Sequence, residues 1–320
     1  MTQRILAALA AACALGGASA QESYPSRAVH IVVPYTPGTG ADILARLLGP
    51  KLAERWKVAV ITENRAGASG NIGTESVAKA APDGHTLLLT ATSFTMNPAL
   101  TRSALYDPVA QFSPVVLMAT GALAVVVTAK LPVTSMREFV AYAKQRPGEL
   151  HYSSPGNGTP HHLAMELLKL DLDMRLVHVP YRGSGGAMSD LVGGHVQAMV
   201  SPLQSVAPHV QAGRLRMLGI MSAERSAAFP GVPTLKELGL GELEVETWYA
   251  LFAPAGTRAD VVAKINGETN LFLNEIQMRE ALGKQGMTAA GGPAERLGEL
   301  VRRELARWSR VVAAAGIKAD

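Results

Sequence analysis

Four times along this chain a short apolar run meets a glycine loop and then a helix-forming segment. That repeat restricts the fold more than any other feature. The clearest copy is VHIVVPYTPGTGADILARLL, residues 29–48. Its first five residues form a continuous apolar run, as in a parallel strand covered on both faces. The loop spans 34–40, and Ile43, Leu44, Leu47 and Leu48 then recur at helical spacing. Pro50 predicts a kink or an end, with 51–56 as a second piece.

The second copy has a strand at 58–62, a loop at 63–70 and a helix near 72–80. The turn Pro82-Asp83-Gly84 follows, and then a strand at 86–90. The third has a strand at 150–153 and a loop at 154–158, with Thr159 as N-cap and Pro160 at the first helical position. The fourth has a strand at 176–179, a loop at 180–186, a helix near 187–192 ended by Gly193-Gly194, and a strand at 196–200. The C-terminal part reads as helical. Thr257 and Asp260 have capping-box spacing. Leu297, Leu300, Val301, Leu305, Trp308 and Val312 make an apolar stripe that reads as core packing. Apolar extended segments at 115–128 and 247–254 are candidates for strands crossing between lobes. The expected class is therefore α/β: two lobes, each a sheet flanked by helices, with a cleft between them and one lobe made from both chain ends.

The first twenty residues stand outside that scheme. Arg4 precedes an apolar run at 5–15, and Ala18-Ser19-Ala20 has small-x-small cleavage spacing. This reads as a secretory signal cleaved after Ala20, too short to span a bilayer. The only cysteine, Cys13, lies inside it, so the mature chain has no disulfide and no thiolate metal site. About 300 residues remain, more than one core usually serves. The whole chain carries 30 Lys and Arg against 26 Asp and Glu, a mild balance without a basic run, which disfavours nucleic-acid binding.

Glycine loops at helix starts point backbone N–H groups at a ligand, backed by the positive end of the helix dipole. They suit a carboxylate or a phosphate. Nucleotide fingerprints fail: Ile43 stands where a third dinucleotide-binding glycine belongs, and no loop has Gly-Lys-Ser/Thr. No G-x-S-x-G elbow and no cysteine nucleophile occur. His162 and Glu166 are spaced i,i+4, but a third metal ligand is missing, so neither metal nor cofactor is expected. His162 is read as a polar residue near the cleft, and His178 and His195 as structural. Asp42 either caps its helix or meets a ligand amine or water, and Asp190 has the same two readings. Tyr35, Phe94, Trp248 and Tyr249 either stack on an aromatic acid or pack the hinge.

Six stretches together resemble one family: YPSRAVHIVVPYTPGTGADILARLL, VITENRAGASGNIGTESVAKAAPDGHTLLL, NPALTRSALYDP, YSSPGNGTPHHLAMELL, VHVPYRGSGGAMSDLVGGHV and TWYALFAPAGT. The chain is similar, over nearly all of its mature length, to the solute-binding proteins of tripartite tricarboxylate transporters, the Bug family. The resemblance implies a two-lobed periplasmic-binding-protein-like (type II) fold, with lobe 1 at 24–122 and 251–320 and lobe 2 at 123–250. It implies a periplasmic monomer that holds a small carboxylate and meets the membrane components of a transporter. The ligand residues carried over are Tyr35, Thr36, Gly38, Thr39, Gly40, Asp42, Ala68, Ser69 and Ser93 in lobe 1. In lobe 2 they are Ser154, Gly156, Asn157, Gly158, Thr159, His162, Arg182, Gly183 and Ser184. The family often has Lys at Arg182, and an acid where this chain has Ser201-Pro202, which shifts the expected ligand from amino acids towards plain or aromatic carboxylates. Two alternatives stay open: a ligand sensor docking on a membrane signalling protein, and an exported hydrolase using Ser154 or Ser184 with His162.

Overall fold

The expected strands all form, close to their expected bounds. The computed structural model describes residues 24–100, 105–181, 183–226, 229–240 and 243–317, so the signal segment at 1–20 lies outside the described residues. In chain order the strands are β1 (Val29–Val33), β2 (Val60–Asn64), β3 (Thr86–Ala91), β4 (Phe112–Thr128), β5 (His151–Ser154), β6 (Val177–Pro180), β7 (Ala198–Pro202), β8 (Leu215–Ile220), β9 (Glu246–Pro254) and β10 (Met287–Ala289). The helices are α1 (Gly40–Trp56), α2 (Asn71–Ala78), α3 (Ser93–Leu100), α4 (Met136–Lys144), α5 (Pro160–Asp171), α6 (Ser184–Gly193), α7 (Leu203–Gln211), α8 (Ala259–Asn274), α9 (Ile276–Lys284) and α10 (Ala294–Ala315).

The strand order is β2-β1-β3-β9-β4-β7-β5-β6, with β8 and β10 also on β4. The long strand β4 belongs to both halves. Up to Ala122 it pairs with β9, and from Leu123 it pairs with β7. β1, β2 and β3 are mutually parallel, and β3 and β4 are both antiparallel to β9. The first set therefore runs along β4, towards the second half. β5, β6 and β7 are parallel to one another and run against β4, towards the first half. The carboxyl ends of both sets, where open α/β sheets bind ligands, thus face the same junction.

Each half has its own apolar core. Val29, Ile31, Leu44, Leu48 and Leu251 pack together in the first. Leu123, Val125, Tyr152, Leu163 and Leu168 do so in the second. Each such side chain contributes about 1.5–3 kcal/mol on burial. Helix α10 is anchored in both halves. Leu297 and Val301 pack with Phe94, Phe112 and Trp248, whereas Trp308, Val311 and Val312 join the cluster around Tyr152. The C-terminal stripe is core, as its spacing implies.

The helix end that Pro50 allows and the capping box at Thr257 do not occur. Helix α1 continues through Pro50 to Trp56. Pro50 and Arg46, whose carbonyl loses a donor, both lie on the exposed face, where water can replace the missing bond. The capping box at Thr257 and Asp260 does not form. Thr257 donates to the Pro254 carbonyl at 2.7 Å, Asp260 pairs with Arg258, and Arg258 is the N-cap of α8.

Candidate functional site

In the first half the loops expected to hold ligand are fastened to one another. The Tyr35 hydroxyl lies 2.6 Å from Ser93 Oγ and 2.9 Å from Thr90 Oγ1, and the Ala91 amide donates to it. Burial raises the pKa of this phenol despite those bonds, so it stays neutral. The Asn64 side-chain amide donates to the Tyr35 carbonyl at 3.1 Å and to Asp42 at 2.9 Å. Asn97 donates to the Ser69 carbonyl at 2.9 Å. Tyr35 and Ser93 therefore spend their hydroxyls on the framework.

Asp42 follows the capping alternative. It is 3% exposed and accepts from the Gly38 amide at 2.9 Å, from Arg46 at 3.0 Å and from Asn64. Burial opposes its ionisation. The hydrogen bonds from Arg46, Gly38 and Asn64 outweigh that and hold the carboxyl below its ordinary range.

The open donors of this half lie at the start of α1. Thr39 is the N-cap, but its side chain makes no capping bond, and the first bond into the helix runs from the Ile43 amide to the Thr39 carbonyl. Among the described residues no protein acceptor takes the amides of Gly40, Ala41 and Asp42. A Cβ on Gly40 would stand 2.5 Å from Cζ of Tyr249, so only glycine fits under that ring. Thr36 and Gly38 are exposed beside it. Ala68 and Ser69, also exposed, adopt φ of 45° and 55° between Gly67 and Gly70. Such angles are uncommon for non-glycine residues.

The second half divides the work differently. Its turn at 154–159 uses most of its own donors. The Gly156 amide donates to Ser154 Oγ, the Gly158 amide to His162 Nδ1 at 3.0 Å, the Thr159 hydroxyl to the Gly156 carbonyl at 2.8 Å, and the His162 amide to Thr159 Oγ1. Thr159 is thus the cap that its sequence position implies. Asn157 lies half-buried at the tip. His162 is buried behind the turn. Its ring stacks on His178 at 3.9 Å, and the Tyr152 ring stacks near both, 4.8 Å from His178 and 6.3 Å from His162. Glu166 accepts from Tyr152 and from Lys169, and lies 4.0 Å from His162 Nε2. Ser154 is fully buried with its Oγ 2.7 Å from His178 Nε2. His162 and Ser154 shape the turn from behind, and His178, read from the sequence as structural, meets both of them.

Open amides reappear at α6. Gly183 is its N-cap at φ 109°, without a side-chain capping bond, and its own amide donates to the Pro155 carbonyl. Among the described residues the amides of Ser184, Gly185 and Gly186 have no protein acceptor, and open space surrounds Gly183 and Gly185. Ser184 is exposed at this start. Arg182, just before it, lies outside the described residues. The halves touch where Leu100 of α3 lies over Gly158; a Cβ there would stand 2.1 Å from the Leu100 Cδ1.

No group of three or more metal-ligating side chains forms among the described residues, and no described helix is long and apolar enough to cross a membrane. A cavity of about 810 Å³ lies elsewhere, between α7, residues 222–226 with Phe229, and the turn from α9 to β10. None of the expected ligand residues lines it.

A two-lobed α/β fold with helix starts facing across a junction of crossing strands defines the class of periplasmic-type solute-binding proteins. Comparison with known proteins narrows it. Residues 44–317 match the model of the tripartite tricarboxylate transporter family receptor, TctC. The chain belongs to that family. It is 35% identical over 320 residues to BugT of Bordetella pertussis, covering 98% of each chain. Among solved structures it resembles the R. palustris protein Rpa4515 with adipate, at 34% identity and a TM-score of 0.82, covering 92% of this chain and 99% of that one. It also resembles MatC from Rhodopseudomonas palustris with bound malate, at 31% identity and a TM-score of 0.78, covering 90% and 100%.

Proposed function

We infer that this chain is a periplasmic solute-binding protein that captures a small carboxylate and delivers it to the membrane components of a tripartite transporter. The ligand class is a di- or tricarboxylate or an aromatic carboxylate. The observation that carries this reading is the pair of amide sets, at residues 40–42 and 184–186, for which the described residues offer no acceptor, on helices that start from facing halves. Such amides, at the positive ends of two helix dipoles, favour one negative group each. The adipate and malate held by two relatives support the same class. The lobes are residues 24–122 with 251–320, and 123–250. The signal at 1–20 exports the chain, which acts as a monomer and leaves its ligand chemically unchanged.

The ligand favours the closed arrangement because only there do both lobes contact it. A micromolar dissociation constant corresponds to about −8 kcal/mol. Hydrogen bonds to a charged group contribute about 1.5–3 kcal/mol each, so a few at either end are sufficient. The test is titration calorimetry of the mature protein with adipate, malate, benzoate and the neutral diamide of adipate. Binding of at least one acid, with none to the diamide, is expected. Equal binding of the diamide, or turnover of ester substrates, contradicts the reading.

A further inference from the structure

Sequence left Asp190 open between capping its helix and meeting a ligand, and the structure gives it another partner. Its Oδ2 accepts from the Tyr181 hydroxyl at 2.5 Å. Both residues are half-buried. Burial, and then the carboxylate beside it, push the phenol up to about 12, so the hydroxyl keeps its proton and donates. Asp190 lies in the second turn of α6, past the Gly183 N-cap, and cannot cap the helix itself.

The start of α6 is weak by sequence. Gly185 and Gly186 lie in its first turn, and a glycine inside a helix costs about 1 kcal/mol against alanine. Among the described residues no side chain caps this helix, and its first turn holds no acid. A Cβ at Gly183 or Gly185 would meet nothing within 4 Å. At Gly186 the neighbour is the Tyr181 ring, whose Cδ1 would stand 3.2 Å from a Cβ there. Tyr181 thus lies along α6 from Gly186 to Asp190, one turn further on.

The backbone of Tyr181 is fixed to the other ligand turn of this half. Its amide donates to the Ser154 carbonyl at 2.9 Å, and the Gly183 amide donates to the Pro155 carbonyl at 3.0 Å. Its carbonyl stands over Gly156, 3.5 Å from where a Cβ would be. One residue therefore ties the end of β5 to the first two turns of α6.

We propose that Tyr181, held by Asp190, is a positioning residue that pre-forms the amides of residues 184–186 for a carboxylate. This rests on the solute-binding reading. Fixing those amides before the ligand arrives removes an ordering cost that binding otherwise bears. Without the ring and its bond, the two glycines leave the helical region readily and the amides no longer converge. The Tyr181 side chain need not touch the ligand.

The test compares three variants. Tyr181→Phe keeps the ring and removes the hydroxyl, Asp190→Leu removes the acceptor, and Asp190→Asn keeps an acceptor oxygen. Amide resonances of the isotope-labelled mature protein are followed without ligand, and affinity for adipate, malate and benzoate is measured by calorimetry. In Tyr181→Phe and Asp190→Leu the resonances of residues 184–186 are expected to move or broaden, while those of 40–42 stay. Each is expected to weaken acid binding about 3–10-fold, as for the loss of one hydrogen bond, and the two combined to be no worse than either alone. Asp190→Asn is expected to stay closest to wild type. Unmoved resonances at 184–186 overturn the proposal, as does equal movement at 40–42, which marks a general loosening. Displaced amides with unchanged affinity overturn it too, as does Asp190→Asn as weak as Asp190→Leu. If the wild type binds none of the acids, the carboxylate reading fails, while the ligand-free resonances still decide the positioning.

Discussion

The amide of Gly158 donates to Nδ1 of His162 at 3.0 Å, one helical turn along from it. That bond makes Nδ1 the acceptor and leaves the ring proton on Nε2, towards Glu166. Replacing His162 by Leu strands a buried amide, which costs about 1–3 kcal/mol. Asn places an acceptor oxygen where Nδ1 was. Thermal denaturation is expected to show His162→Leu well below wild type and His162→Asn between them. Equal melting of the Leu and Asn variants contradicts the assignment.

The amide at Ser184 can be deleted without disturbing the helix, because proline is tolerated at its first position. Ser184→Pro is expected to fold normally and to lose about 10–100-fold in acid affinity, the equivalent of one bond to a charged group. Ser184→Ala, which keeps the amide, is expected to lose far less. Calorimetry of the two variants separates the backbone from the hydroxyl.

Gly158 combines a φ of +72° with the Leu100 methyl over its α-carbon. A side chain there costs about 1–2 kcal/mol from the backbone and about 1–3 kcal/mol from overpacking. Gly158→Ala is expected to weaken binding and to lower the melting temperature. Adding Leu100→Ala is expected to recover part of the loss, because it relieves the clash and leaves the backbone strain. No recovery in the double variant means that the Leu100 contact is not what excludes a side chain.

The lowered Asp42 pKa has a pH consequence with a definite sign. A carboxyl whose folded pKa lies below its unfolded value of about 3.9 stabilises the fold above that value. The contribution is lost as pH falls through the folded pKa. Asp42→Asn is expected to be less stable than wild type by about 1–3 kcal/mol at neutral pH, with the gap closing below about pH 4. Denaturant melts at pH 7 and pH 3 read this directly. A gap that persists unchanged at pH 3 contradicts the role of the charge.

Much of the architecture was legible because its signals are local. The four strand–loop–helix units, the Thr159 cap and the Gly194 helix end each depend on a few neighbouring residues. β8 and β10 were not anticipated, since their short patterns gain their meaning from pairing with β4, far away in sequence; α4 and α7 were missed as well, although Ser135 and Glu138 give α4 a local capping signal. Thr257 offered a capping pattern that the chain satisfies another way, through the Pro254 carbonyl. At the site, spacing located the loops but not the use of each donor. That Tyr35 and Ser93 pin each other and that Ser154 meets His178 both depend on contacts between elements distant in the chain.

The most direct measurement is a crystal structure of the mature protein with the tightest-binding acid from the calorimetric panel. The account expects one carboxylate within hydrogen-bond distance of the amides at residues 40–42, and the opposite end of the ligand at those of 184–186. An acid lodged in the cavity between α7 and α9, or held in the cleft by side chains alone while those amides face water, contradicts it.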